Sequence, residues 1–208
     1  MKYDLIVTSC GRHDLLLTTI RSFFQYADIK PQRVIISEDS KEPIPFFISH
    51  LIPCENLFID NMQQGQIASI DSCLKQIKED YFFHLEDDWE FYRSGFIQES
   101  FNVLKNGNII NHWLRERNDT NGHPVKGDCL IIGHKKTWHG FTFNPTLKRM
   151  KDYRLLKSYS DFGSNIWRAW ENEQAIGKFY KDRGFYATIA KQGYVKHIGE
   201  NRHVTQGK

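Results

Sequence analysis

Short apolar runs alternate with segments of helical periodicity along the first half of the chain. An apolar run bounded by turn residues is typical of a strand that is buried on both faces. Apolar side chains that recur every three or four positions mark one face of a helix. These patterns predict strands at residues 4–9, 33–37, 56–61 and 81–85, and helices near 16–27 and 67–77. The alternation predicts an α/β fold with a mostly parallel central sheet flanked by helices.

The second half of the chain has a less regular pattern. We predict helices at 95–105 and 165–181 and extended segments at 109–114, 129–133 and 194–198. The dipeptide Asn144-Pro145 predicts a turn before a helix with the sequence TLKRMKDY. The pattern at 44–53, between two prolines, is ambiguous. A chain of 208 residues is long enough for one sizeable core, so we expect one domain.

Basic residues are unevenly distributed along the chain. The whole chain has a net charge of +3, whereas residues 112–157 contain ten Lys or Arg and four acidic residues, a local charge of +6. Such a segment suits a polyanionic partner such as nucleic acid, a phospholipid surface or an acidic glycan. It equally suits a solvated basic face. No window approaches the roughly 18 apolar residues of a membrane span, so we expect a soluble, cytoplasmic protein.

Three groups of polar residues follow the predicted parallel strands: Thr8 to Arg12, Glu38 to Ser40, and Glu86 to Asp88. Ligands of such folds bind beyond the carboxyl ends of the strands, so we expect the three groups to line one edge of the sheet. The third group consists of consecutive carboxylates, which raise one another's pKa unless a counter-charge is present. A divalent cation, Mn²⁺ or Mg²⁺, would supply that charge. A solvated acidic turn is the alternative.

Four stretches of the chain together resemble the family 2 glycosyltransferases of the GT-A fold. They read VTSCGRHDLLLTTIRSFF, IISEDS, QIASIDSCLKQIKEDYFFHLEDDWEF and HIGENRH. They cover most of the first half of the chain and scattered points of the second. Enzymes of this family move a sugar from a nucleotide diphosphate donor to an acceptor. The resemblance implies a single GT-A domain over residues 1–208, with 1–91 as the nucleotide-sugar-binding half and 92–208 as the acceptor-binding half.

The resemblance also implies roles for individual residues near the donor. The family's strand-end acidic motif, usually Asp-x-Asp, binds the metal that clamps the donor diphosphate, and here it reads Glu-Asp-Asp. With a late histidine, this implies Asp88, Glu86 and His197 as ligands of Mn²⁺ or Mg²⁺. The residues implied in nucleotide and donor binding are Thr8, Ser9, Gly11, Arg12, Glu38, Asp39, Gln64, Asp87, Arg202 and His203.

Transfer to a hydroxyl needs a base that takes the hydroxyl proton. In inverting members of the family this base is an acid a little over ten residues before a glycine. Glu173 and Glu171 lie 11 and 13 residues before Gly184, and Glu173 is the preferred candidate. The alternative for this segment is a solvated helix with charged side chains.

Aromatic side chains accompany basic ones after the acidic triplet. We expect the acceptor to contact Trp89, Lys135, Lys136, Trp138 and Arg149, although aromatic side chains also build cores. The expected donor is a UDP-sugar, for hexosyl or pentosyl transfer. The acceptor is either a glycan or lipid-linked saccharide, or a hydroxylated base in DNA, which would have to be flipped out of a duplex. A non-catalytic module that binds nucleic acid or glycan on the same fold is the alternative.

Overall fold

The computed structural model describes residues 1–60, 63–127, 129–130, 139–162, 169–200 and 202. Its elements in chain order are β1 (Asp4–Ser9), α1 (His13–Tyr26), β2 (Arg33–Glu38), a 3₁₀ helix (Phe46–Leu51), β3 (Glu55–Asp60), α2 (Gln66–Leu74), β4 (Tyr81–Glu86), β5 (Trp89–Phe91), α3 (Phe96–Leu104), β6 (Ile109–Trp113), β7 (Val125–Lys126), β8 (Cys129–Leu130), β9 (Thr146–Arg149), α4 (Met150–Arg154), α5 (Ala169–Lys181), β10 (Tyr186–Ile189) and β11 (Val195–His197).

The central sheet has the strand order β3-β2-β1-β4-β9. The first four strands are parallel, and β9 runs antiparallel to β4. Two smaller sheets accompany it, one with the order β6-β10-β8-β7 and one that pairs β5 with β11. The prediction of a mostly parallel central sheet with flanking helices is confirmed, as are the predicted strands of the first half.

The two faces of β4 belong to different hydrophobic layers, because successive side chains of a strand point to opposite sides. Phe83 and Leu85 pack in the layer that contains the apolar residues of α1 and α3. Phe82 packs in the opposite layer, with the apolar residues of α2, α4 and α5. The strand is therefore buried on both sides, which explains its continuous apolar sequence. Any polar side chain on it must find a partner inside the protein or at the strand's end.

The helix predicted for TLKRMKDY is wrong in its first half. Residues 146–149 form β9, and only 150–154 are helical. Pairing with the free edge of β4 satisfies the backbone groups of this segment and buries Leu147 completely. Tertiary pairing therefore overrides a short local pattern that also fits a helix. The ambiguous stretch at 44–53 contains the 3₁₀ helix, and 129–130 are the only described residues of the predicted strand 129–133.

No helix in the described part of the chain is long and apolar enough to cross a membrane.

Candidate functional site

The ends of β1, β2 and β4 bring the predicted polar groups to one edge of the central sheet. Ser9 of β1 pairs with Glu38 of β2, and Thr8 pairs with Glu86 of β4. Both Thr8 and Ser9 are buried. Gly11 follows β1 with a φ of 68°, which glycine adopts without strain. The chain thus turns sharply into α1 beside the ends of the other two strands.

The carboxylates after β2 hold the backbone of neighbouring loops. Glu38 accepts hydrogen bonds from the amides of Gly11 at 2.8 Å and Ser40 at 2.9 Å. Asp39 accepts from the amides of Gln64 at 2.7 Å and Gly65 at 2.9 Å. The two acids therefore fix the loops after β1 and β3 around the site. Their predicted contacts to a nucleotide stay a prediction.

Arg12 holds both aspartates that follow β4. Its Nη1 donates to Asp88 Oδ2 at 2.7 Å, its Nε donates to Asp87 Oδ2 at 3.3 Å, and its Nη2 donates to Asp87 Oδ1. The amide of Cys10 also donates to Asp87, at 3.2 Å. Burial raises the pKa of Asp87 to about 7, although Arg12 acts in the opposite direction. A guanidinium thus supplies the counter-charge that the sequence requires at this point.

Asp88 also contacts His197. The imidazole Nε2 lies 3.2 Å from Asp88 Oδ2, because β11 pairs His197 with Trp89, the residue after Asp88. Burial alone would raise the pKa of Asp88, but its bonds to His197 and Arg12 hold it below the ordinary value. The same contact raises the pKa of His197. We call Arg12, Asp87, Asp88 and His197 the Arg12 cluster.

Of the three residues predicted to bind a divalent cation, two contact each other, namely Asp88 and His197. The described residues contain no group of three or more His, Cys, Asp or Glu side chains with metal-site geometry. Glu86 Oε1 accepts from Gln66 Nε2 at 2.5 Å and its Oε2 accepts from the Trp89 indole at 3.0 Å, so both oxygens have neutral donors. Asp88 and His197 remain as a carboxylate and an imidazole at one place. That set fits a hard cation whose other ligands are phosphate oxygens and water.

Glu173 on α5 lies at the same end of β4 as Glu86. Its Oε1 accepts from the Thr142 hydroxyl at 2.9 Å and from the Phe143 amide at 2.6 Å. The residue as a whole is partly exposed, but its carboxyl is enclosed, and this burial raises its pKa. Burial also raises the pKa of Glu86 to about 7, with smaller contributions in the same direction from Asp88 and Glu173.

Glu171 lies on a different side of α5. Two positions along a helix correspond to about 200° of rotation, so the side chains of Glu171 and Glu173 diverge. Glu171 lines a surface cavity of about 510 Å³ together with His139, Gln174 and Lys178. Of the two acids proposed as the base, only Glu173 is therefore near Glu86.

Two of the predicted acceptor residues have no surface left for an acceptor. Trp89 is only 2% exposed, and its ring lies 5.2 Å from the His197 ring and 5.2 Å from the guanidinium of Arg115. Arg149 is buried and donates through its three nitrogens to Asp152 and to four backbone carbonyls between residues 104 and 109. Trp89 packs beside the site, against His197 and Arg115. Arg149 connects β9 to the end of α3. Both acceptor assignments are corrected accordingly.

The side chain of Arg202, a residue predicted to bind the donor, points to α1 rather than to the two aspartates after β4. Arg202 forms a bidentate ion pair with Asp14 at 2.6 and 3.0 Å, and its carbonyl accepts from Arg12 at 3.3 Å. It is close to the Arg12 cluster through its backbone. The predicted residues Lys135, Lys136, Trp138 and His203 lie outside the described residues.

The sequence patterns missed three residues of the site: His13, Gln66 and Lys148. His13 lies 3.3 Å from Glu38, and Gln66 bonds Glu86 as described. Lys148 is 3% exposed, and its Nζ has no hydrogen-bond partner among the described residues. The signal for His13 and Gln66 was their position at the start of helices that follow strand ends. The burial of Lys148 was not predicted, because the segment that contains it was predicted to be a helix.

The chain has the GT-A fold, as comparison with solved structures shows. A mannosyltransferase from Pyrobaculum calidifontis, solved with GDP-Man and Mn²⁺, superimposes with a TM-score of 0.73 at 10% identity, over 97% of this chain and 58% of that one. S. aureus TarS 1-349, solved with UDP-GlcNAc, gives a TM-score of 0.67 at 10% identity, over 96% of this chain and 61% of that one. The chain therefore spans about three fifths of the length of either of these solved chains.

No protein-family model matches the chain, and no curated protein sequence matches it. At these identities the structural likeness concerns the fold.

Proposed function

We propose that this GT-A chain is a metal-dependent glycosyltransferase, which moves a sugar from a nucleotide diphosphate donor to an acceptor hydroxyl. The observation that carries the proposal is the meeting of Asp88 and His197 at the carboxyl end of β4, the edge where ligands of such sheets bind. The structural neighbours support it, since one was solved with GDP-Man and Mn²⁺ and another with UDP-GlcNAc.

The donor is expected to lie along the ends of β1, β2 and β4. Asp88 and His197 would hold Mn²⁺ or Mg²⁺, which would neutralise the donor diphosphate when bound. Glu38, Asp39 and Gln64 would border the nucleoside, and UDP is the proposed nucleotide. Arg12 would release part of its contact with Asp88 to donate to the diphosphate, because arginine suits phosphate oxygens. Residues 1–91 would then bind the donor and 92–208 the acceptor.

Glu173 is the proposed base. Its carboxylate would take the acceptor's hydroxyl proton while the hydroxyl oxygen forms a bond to the anomeric carbon. The bond from that carbon to the diphosphate breaks, and its electron pair stays on the departing nucleoside diphosphate. Attack on the face opposite the leaving group inverts the configuration. The raised pKa of Glu173, which follows from burial, suits a group that must accept a proton near neutral pH.

We propose a saccharide hydroxyl as the acceptor. The basic segment supports a nucleic-acid acceptor less well than its charge indicates, because Arg115, Lys148 and Arg149 are buried. Arg115 forms an ion pair with Asp119, at 2.6 Å, and Arg149 one with Asp152. Three of the ten basic side chains of this segment are therefore enclosed in the protein rather than displayed to a polyanion.

The test is an incubation of the purified chain with UDP- and GDP-sugars, Mn²⁺ and separate saccharide and hydroxymethylated DNA acceptors, followed by mass spectrometry. A mass increase of one sugar on the saccharide, lost on chelation of the metal, is expected. A sugar on the DNA alone would replace the acceptor class. Neither transfer nor donor hydrolysis with any donor, together with UDP binding that is the same with and without Mn²⁺, would favour the non-catalytic binding module.

A further inference from the structure

We infer that Lys148 is a positioning residue for the proposed base: its buried ammonium supplies a counter-charge that favours the ionised form of the Glu173 carboxylate. The inference rests on the proposed function of Glu173. It concerns a residue that contacts neither the Arg12 cluster nor solvent. Three observations carry it, namely the strand register, the enclosure of the ammonium and the charges around it.

The strand register places Lys148 on the same face of the sheet as Glu86. Lys148 of β9 pairs with Phe82 of β4, and paired residues point to the same side. Four positions further along β4, Glu86 points to that side again. This is the face covered by α5, because Phe82 and the α5 residues Ile176 and Tyr180 share one hydrophobic layer. Lys148, Glu86 and the helix that carries Glu173 therefore enclose one space.

The Lys148 ammonium is enclosed without a hydrogen-bond acceptor among the described residues. Its Nζ lies 5.8 Å from the centre of the Phe141 ring. A buried ammonium is costly unless nearby negative charge compensates it. A methionine would fill the same volume without this cost, so the property that distinguishes the lysine here is its charge.

The charged and titratable groups around Glu173 come from three neighbouring elements. Lys148 of β9 and Arg115, after β6, act to lower its pKa, and Glu86 of β4 is its acidic neighbour. Arg115 is already paired with Asp119. Burial and the field of Lys148 hold the pKa of His84, the other titratable group of this face of β4, well below its ordinary value, so His84 adds no charge. Among the described residues, Lys148 is the cation that acts on both Glu173 and Glu86.

The lysine responds to the same two acids. Burial lowers its pKa to about 7, and Glu173 and Glu86 act in the opposite direction. Removal of the positive charge therefore makes it harder to ionise either acid. We call Lys148, Glu173, Glu86 and His84 the Lys148 cluster.

The test compares Lys148→Met with Lys151→Met, which removes an exposed lysine three residues away. The first readout is the titration of the Glu173 carboxyl by ¹³C NMR, identified by its loss in Glu173→Gln. Lys148→Met is expected to move this titration upward by about 1 pH unit, the lower end of the effect of a nearby opposite charge. The second readout is the rising limb of kcat against pH, which should move upward by the same amount.

Lys151→Met should leave both readouts unchanged. If Lys148→Met does not fold, Lys148→Gln removes the charge and keeps a polar group, and the same shift is expected. An unchanged Glu173 titration in a folded Lys148 variant overturns the inference. The NMR readout needs no turnover, so it separates the two proposals: transfer that is absent from the wild type overturns the proposed function, whereas an unshifted titration overturns only the role of Lys148.

Discussion

The Arg12 cluster and the Lys148 cluster each place one cation beside two carboxylates of the site. In the first, the guanidinium bonds Asp87 and Asp88 directly. In the second, the ammonium has no hydrogen-bond partner in the described part of the chain and acts on Glu86 and Glu173 only through its field. The difference lies in the hydrogen bonds rather than in the number of charges.

The chemistry of the two cations explains what each cluster can do. Arginine stays protonated throughout the physiological range and binds carboxylates in a fixed geometry. Arg12 therefore holds Asp87 and Asp88 through a cation that keeps its charge. Burial lowers the pKa of Lys148 to about 7, so the cation of the second cluster can lose its proton near neutral pH. The charge on Arg12 is permanent, whereas the charge on Lys148 changes near neutral pH.

The largest expected effect is that of Glu173→Gln, which removes the proposed base from the Lys148 cluster. Loss of a general base costs about 10²- to 10⁴-fold in rate. We expect transfer to fall within that range while donor binding, measured by thermal shift with UDP and Mn²⁺, is unchanged. Glu171→Gln, on the divergent side of α5, is the matched control and should retain activity. Equal losses in the two variants would contradict the assignment of the base.

Asp88→Asn tests the opposite cluster. We expect transfer to fall by about 100-fold, since a divalent cation would contribute several kcal/mol to stabilising the charge on the departing diphosphate. The stabilisation by UDP should lose its dependence on Mn²⁺, a change that Glu173→Gln should not produce. Glu90→Gln, which removes an acid paired with Lys196 at 2.8 Å near the surface, is the control. Retained Mn²⁺ dependence in Asp88→Asn would exclude Asp88 as a ligand.

Arg12→Met tests whether the Arg12 cluster is a direct ion pair. Removal of one partner leaves Asp87, which is fully buried, without its counter-charge, and such changes destabilise by about 3–5 kcal/mol. We expect the free energy of unfolding, measured by urea denaturation, to fall by an amount in that range. Arg21→Met, an exposed position on the same helix, should change it little. A loss below about 1 kcal/mol, the value of an exposed pair, would contradict a direct buried pair.

Lys148→Met should have an effect on stability that depends on pH. Folding lowers the pKa of Lys148 from 10.5 to about 7, so between these values the unfolded chain binds the extra proton. Wild-type stability therefore gains up to about 1.4 kcal/mol per pH unit through this window from Lys148. The variant lacks that gain, so its stability relative to the wild type should be highest below pH 7 and should fall toward pH 10.

Urea denaturation of both proteins at several pH values between 6 and 10 measures this difference. Lys151→Met should give a curve parallel to that of the wild type. A Lys148→Met curve that is also parallel would show that the ammonium is not confined in the folded protein.

The Arg12 cluster was largely predictable from sequence. Its residues stand directly after buried strands or within a short motif, and the carboxyl ends of parallel strands meet at one edge whatever the rest of the chain does. Arg12, Asp87 and Asp88 were therefore expected near each other, although the direct bond between them was not. The acidic triplet predicted a counter-charge but not that a guanidinium of the protein already supplies it to Asp87.

The Lys148 cluster was not predictable in the same way. TLKRMKDY has a periodicity that fits a helix, and its basic residues indicated a solvated surface. Residues 146–149 form a strand because they pair with β4, and this pairing buries Lys148. Arg149 then donates hydrogen bonds to the backbone carbonyls of Leu104 and Ile109. Trp89 is a similar case, because its burial depends on Arg115 and on His197 of β11, which is remote in sequence.

By itself, the sequence determined the parallel sheet, the edge at which the strands end and the acids that stand there. These properties follow from the alternation of apolar runs and helical faces, and that alternation depends only on residues that are close together in the sequence. The tertiary structure decided how the charges are balanced: which acid contacts Arg12, which acids share the space of Lys148, and which aromatic and basic side chains are buried. Those outcomes depend on segments that are distant in the chain, and no local pattern records which of them will meet.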